Sequence, residues 1–174
     1  MPGGPKECLM LSQTAEYALR AMACLALRPD ELVATSVLAE QTKVPNDYLA
    51  KVLQHLSSAD LIQGRRGVGG GYRLARPATT INLLDVINAI DAIKRIESCP
   101  LGLPNHGPML CPVHRRLDQA AAALIELFNG VTLHDLIADP MSSKPLCDAK
   151  ATAKLGIEGT LSDRRPGKGP APKA

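Results

Sequence analysis

Sixteen residues from Cys99 to His114, CPLGLPNHGPMLCPVH, hold two cysteines and two histidines among four prolines and two glycines. Thiolate and imidazole are the donors taken by zinc and by iron–sulfur centres, so the stretch reads as a metal site, a thiol switch or a plain loop. Cys99, His106, Cys111 and His114 follow a Cys-x6-His-x4-Cys-x2-His pattern. That set offers zinc four tetrahedral ligands, although the spacing is not a standard finger spacing. The other cysteines, Cys8, Cys24 and Cys147, are scattered. An odd total of five, with no export signal in MPGGPKECLMLSQ, argues against a disulfide framework and for a cytoplasmic protein. Cys24 falls within an apolar helical pattern and is expected to be buried filler.

A second group of residues is basic. The net charge is only +3, yet Lys43, Lys51, Arg65, Arg66, Arg73 and Arg76 lie in one segment against Asp47 and Asp60 alone. Such a surplus suits a polyanion. The elements that must carry it are legible as periodicities. Leu11, Ala15, Ala18, Met22 and Leu25 recur at steps of four and three, with Ser12 placed to cap a first helix. Ser36 can cap a short second helix, VLAEQTK; VPN makes a tight turn; and DYLAKVLQHLSSADLI puts Leu49, Val52, Leu53 and Leu56 on one face. Two helices joined by such a turn suggest helix-turn-helix. LIQGRR and YRLAR then flank GVGGG, whose glycines permit a hairpin turn, which completes a winged helix. In that arrangement Asn46, Asp47, Tyr48 and Lys51 sit where a recognition helix reads or clamps double-stranded DNA, with Gln54 and His55 further along. Arg65, Arg66 and Arg73 suit phosphate or minor-groove contact, and backbone at Gly67 and Gly69 to Gly71 can approach the duplex closely.

Further on, TTINLLDVINAID reads as a capped helix with Leu83, Ile87 and Ile90 in line. From His114, HRRLDQAAAALIELFNG carries a stripe of Leu117, Ala121, Leu124 and Phe128, with Gly130 just past its end. A long helix with one apolar stripe wants a partner helix, and its alanines allow close approach, so a homodimer is expected. TLHDLI returns the chain, and the Pro/Gly/Lys-rich end DRRPGKGPAPKA is expected to be disordered. With three Tyr, one Phe and no Trp, the core must be aliphatic. No stretch approaches a membrane span. No nucleophile, base and orienter stand at suggestive spacing, and GVGGG opens no phosphate loop, which disfavours an enzyme.

The order LSQTAEYALRAM, YLAKVLQHLSSADLIQGRRGVGGGYRLARP, INLLDVINAID and a Cys-bearing loop resembles the Rrf-two-type transcription regulators, the IscR/NsrR/CymR-like family, from about Met10 to Ile137. The resemblance implies a mainly α fold with a small β-wing. It also implies an N-terminal extension at 1–9, a winged-helix DNA-binding domain at 10–92, a sensor loop at 93–113, a dimerisation helix with return segment at 114–138, and a tail at 139–174. In many members it implies an iron–sulfur cluster held by Cys-x5-Cys-x5-Cys and a fourth, non-cysteine ligand. Here Cys99 and Cys111 keep the outer spacing, but Asn105 stands in the middle. His114 matches a histidine-ligand position, His106 lies beside the vacant site, and Glu16 matches an acidic ligand that arrives from the other subunit. Two thiolates completed by imidazole and carboxylate fit a [2Fe-2S] cluster better than [4Fe-4S]. Zinc, a Cys99–Cys111 thiol switch, a cofactor-free effector pocket and a loop without cofactor are the alternatives, as is a winged helix that binds another protein in place of DNA.

Overall fold

The computed structural model describes residues 11–98 and 109–139. Its first helix, α1 (Gln13–Ala26), starts where expected: Ser12 is extended and its hydroxyl accepts from the Ala15 amide at 3.2 Å. The buried face of α1 is built from Ala15, Ala18, Ala21, Met22, Cys24 and Leu25. Small side chains let other elements come close, and α1 packs against both helices of the helix-turn-helix, the hairpin and two later helices.

The helix-turn-helix consists of α2 (Thr35–Thr42) and α3 (Asn46–Ser58). Between them Lys43 takes a left-handed conformation, φ 57°. Ser36 is not the cap of α2, contrary to expectation: Ala34 holds that position and no side chain caps it. The preceding backbone is fixed by tertiary pairing instead, because Val33 and Tyr72 exchange two amide hydrogen bonds of 2.9 Å. Leu49, Val52, Leu53 and Leu56 of α3 are buried, as their spacing predicts.

The wing is an antiparallel pair, β1 (Ile62–Arg65) with β2 (Gly71–Leu74), in the register Ile62 to Leu74 and Arg65 to Gly71. Its turn depends on glycine. Gly67 and Gly69 have φ of 96° and 70°. A Cβ on Gly70 would lie 2.2 Å from the Arg65 carbonyl oxygen, and one on Gly71 2.5 Å from that of Val33. The stretch expected as one capped helix divides in two: a 3-10 turn at Ala78–Thr80, then α4 (Leu83–Asn88), capped by the Asn82 side chain on the Asp85 amide at 2.7 Å.

The long helix α5 (Pro112–Asn129) begins two residues before His114, with Cys111 at the N-cap and Pro112 in the first turn, where its missing N–H costs nothing. Gly130 follows its end, as expected. None of its residues is fully buried; of the expected apolar stripe Ala121, Leu124 and Phe128 are partly covered and Leu117 is exposed, and Val113 and Leu127 are more open still. The final helix, α6 (Leu133–Ala138), opens on a reciprocal cap between Thr132 and Asp135 and buries Leu133. No helix among the described residues is long and apolar enough to cross a membrane. The predicted N-terminal extension and disordered tail lie outside the described residues, apart from Asp139.

Two sets of bonds set α5 against the rest. At its C-terminal end, Asn82 donates to Asn129 at 3.1 Å, the Leu83 amide to Val131 O at 3.0 Å and the Leu133 amide to Ile81 O at 2.9 Å. In its second turn, Asp118 takes both arms of the Arg95 guanidinium at 2.6 Å and the Ile96 amide at 2.9 Å. These bonds hold the Asp118 carboxyl down at about 2, the Arg95 side chain first and the Ile96 amide second. A depressed carboxylate stabilises the fold above its unfolded value of about 3.9, and that contribution is lost as pH falls through about 2.

Three outcomes follow. The Asp118 carboxyl carbon, followed by NMR, stays ionised as pH falls through the ordinary aspartate range and titrates only near 2; a midpoint in the ordinary range contradicts the pairing. Leu53→Ala lowers unfolding free energy by about 3 kcal/mol in urea titration, and Gly70→Ala, which must push the Arg65 carbonyl aside, by about 2 kcal/mol.

Candidate functional site

Every side chain proposed from the sequence to meet DNA is exposed: Asn46, Asp47, Tyr48, Lys51, Gln54 and His55 on α3, and Arg65, Arg66 and Arg73 on the wing, with Gly67 at its turn. Period-3.6 burial explains the first group. With Leu49, Val52, Leu53 and Leu56 sunk in the core, positions 47, 48, 51, 54 and 55 must face outward. The short hairpin explains the second, since β1 buries only Ile62.

A groove of 610 Å³ runs between α3 and the wing. Gln54 lines one side and Arg65 and Arg66 the other, so the structure brings these three together. Thr35, Ser57 and Ser58 line it too. These hydroxyls were missed by the motif reading; the signal for Thr35 was its place at the start of the first helix of a helix-turn-helix, which crosses the phosphate backbone. Arg73 belongs elsewhere, to a 380 Å³ cleft on the hairpin that it shares with Gln63 and Arg76, where it donates to Gln63 at 3.4 Å. Arg76 donates to the Thr80 carbonyl at 3.2 Å and pairs with Asp85 at 3.4 Å. Asn46, Asp47 and Lys51 lie outside the groove lining, on the amino-terminal half of α3.

Tyr48 is turned back onto α1. Its hydroxyl shares a 2.6 Å hydrogen bond with Thr14 Oγ1, and its ring meets Tyr17 edge-on, centroids 5.6 Å apart and planes at 87°. Arg20 lies over the Tyr17 ring at 5.6 Å, pairs with Glu16 and donates to the Thr42 carbonyl at 3.2 Å. This network ties the start of the recognition helix to α1 and to the end of α2.

The metal-donor residues divide differently. Cys111 is half-buried at the N-cap of α5, and its sulfur lies 3.2 Å from His114 Nδ1 in the first turn. The Cys-x2-His spacing places thiol and imidazole on one face of that turn, so two of the proposed donors do meet. Glu16 stands on α1, paired with Arg20. Cys99 and His106 lie outside the described residues, as does Asn105. Among the described residues no group of three or more His, Cys, Asp and Glu is gathered to hold a metal ion. Cys24 is buried, as expected; its thiol donates to Gln41 Oε1 at 2.8 Å, and burial pushes its pKa up, with a smaller opposing pull from Arg28.

Comparison with known proteins fits this geometry. Residues 11–139 match the family described as Rrf2, iron-dependent transcriptional regulator. A chain from Aquifex aeolicus assigned as an HTH-type transcriptional regulator is 32% identical over 132 residues, which span 74% of this chain and 92% of that one. One from Mycobacterium tuberculosis with the same assignment is 37% identical over 123 residues, 68% and 76% of the two chains. Among solved structures, T. potens IscR superposes with TM-score 0.63 at 23% identity, over 78% of this chain and 94% of the other. The oxidised form of Staphylococcus aureus CymR superposes with TM-score 0.60 at 26% identity, over 76% and 98%.

Arg65→Ala is expected to weaken binding to a mixed-sequence duplex and to flatten the dependence of log affinity on log salt by about one unit. Fluorescence anisotropy across a salt series reads both; an unchanged slope would show that this arginine meets no phosphate.

Proposed function

Because the chain belongs to the Rrf2 family of transcriptional regulators, whose winged helices bind DNA, we propose that it is a homodimeric regulator whose sensor loop carries a redox- or nitric-oxide-sensitive iron–sulfur cluster. The observation that carries the sensing half is the pairing of Cys111 with His114 at the amino end of α5, in a family described by its iron dependence. The two donors that meet, Cys111 and His114, fit the group. One thiol and one imidazole converge at the root of the loop, a donor mixture suited to a [2Fe-2S] centre. Cys99, with His106 or the partner chain's copy of Glu16, completes the proposed set. When bound, such a cluster supplies a charge- and oxidation-sensitive cross-link.

The protein's own contribution is mechanical. Cys111 stands at the N-cap position of the helix and His114 in its first turn, so ligation there would act directly on the orientation of α5. Glu16 is held by Arg20, which also bonds the last residue of α2. Drawing Glu16 to a ligand on the other subunit would disturb the contacts that set the helix-turn-helix on α1. DNA contact is assigned to the groove side of α3 and the wing, with Gln54, Arg65 and Arg66 nearest one another.

Dimer formation is supported by α5. An 18-residue helix that buries none of its residues and exposes Val113, Leu117 and Leu127 leaves apolar surface that a second copy of the same helix would cover. The domain limits stay as proposed, winged helix to residue 92, sensor loop to 113 and dimerisation helix with return segment to 138, with the first turn of α5 overlapping the end of the loop from Pro112.

A second reading replaces the cluster with a Cys99–Cys111 thiol switch, favoured by the likeness to CymR in an oxidised form. Anaerobic purification separates the two. The cluster reading expects coloured protein with iron and acid-labile sulfide in equal amounts, lost in Cys99→Ala and Cys111→Ala and altered spectrally in Glu16→Ala. Colourless protein with no labile sulfide, and a disulfide after mild oxidation, establishes the switch. Zinc at stoichiometric level with no sulfide contradicts both.

A further inference from the structure

Residues 91–98, which lead from the winged-helix domain into the first part of the sensor loop, form no helix or strand. Such a connector has little to hold its own shape, yet it is fastened at two points. The Ile93 amide donates to Asn88 Oδ1 at 3.2 Å, at the end of α4, and three residues on Asp118 of α5 grips Arg95 and Ile96 together. Isolated surface ion pairs contribute little. This contact differs in kind: it is bidentate, it adds a backbone amide to the same carboxylate, and the Asp118 side chain is only 14% exposed beneath the arginine.

Its place on the helix matters as much as its geometry. The bonds around Asn129 and Val131 fix the C-terminal end of α5 to the start of α4. Asp118 lies eleven residues earlier, about 16 Å along the axis at 1.5 Å per residue. One anchor permits tilt, and two a helix-length apart forbid it. We infer that Asp118 is a positioning residue for DNA recognition: by latching the connector to α5 it sets the angle between the winged-helix domain and the dimerisation helix, and so the separation of the two recognition helices. Over a 16 Å arm a tilt of about 12° moves the free end by about 3.4 Å, one base-pair step. The latch therefore sets half-site spacing, and it does so whether or not the loop holds a cofactor. The inference rests on the homodimer proposed above.

The test uses the full chain. Duplexes are selected from a random pool with the wild-type protein, and half-site spacing is then changed by one and two base pairs. Wild type is expected to lose roughly tenfold or more in affinity per base pair of misspacing. Asp118→Ala is expected to lose under about threefold while binding non-specific duplex as wild type does. Asp118→Asn, whose Oδ1 can still accept from the Ile96 amide, falls between them. If Asp118→Ala is poorly folded by circular dichroism, Arg95→Gln opens the same latch from the exposed side. Spacing discrimination equal to wild type in the variants, or an equal loss at every spacing, overturns the latch alone. Sedimentation equilibrium that finds a monomeric wild-type chain on DNA overturns the dimer and the latch together.

Discussion

The close packing of α1 is the constraint from which the rest of the molecule follows. Its buried residues are alanine at five positions, with Met22, Cys24 and Leu25 as the only larger groups. Elements can therefore seat directly against its backbone, and five of them do. A core with almost no aromatic mass has to gain its contacts by proximity, since dispersion falls steeply with a gap of even half an ångström. Leu38, Leu49, Leu53, Leu56 and Leu61, all fully buried, fill what α1 leaves. On the other side of the same helix, Glu16, Tyr17 and Arg20 form the polar network that reaches Tyr48 and Thr42. One helix thus supports the DNA-reading helix by its apolar face and steadies it by its polar one.

Much of this was legible where a local signal and its tertiary consequence coincide. Ser12 caps α1 because its extended backbone brings its hydroxyl within reach of the Ala15 amide three residues on. Leu49, Val52, Leu53 and Leu56 sit in the core because their period matches the helix. The misreading of Ser36 shows the opposite case: the Val33–Tyr72 bridge fixed the chain before the helix and set its start at Thr35, beyond the reach of a capping rule. The sequence places Arg73 on the same hairpin as Arg65 and Arg66, but register carries it to a different cleft. Tyr48 could not be assigned from sequence, because its partners Thr14 and Tyr17 lie more than thirty residues away and on another helix. The Asp118 latch was invisible for the same reason, since a single Arg and a single Asp 23 positions apart form no motif.

The wing illustrates how glycine can be demanded by different things at neighbouring positions. Gly67 and Gly69 are there for backbone angles that other residues rarely adopt. Gly70 and Gly71 are there for space, against carbonyls of the hairpin itself and of the strand bridge at Val33. A run that resembles a flexible linker in composition is in fact tightly specified, and it presents Arg65 and Arg66 across a groove from Gln54. A side chain at any of these four positions meets either a strained backbone angle or a carbonyl.

Family membership, the groove between α3 and the wing, and the exposed apolar side chains of α5 support the proposed reading, in which two copies of this chain grip DNA through paired recognition helices. Hydroxyl-radical footprinting on a duplex selected by the protein tests it most directly. The account predicts two symmetric protected patches centred about one helical turn, roughly 10 base pairs, apart on one face of the duplex. A single patch, or uniform protection without periodicity, would contradict it.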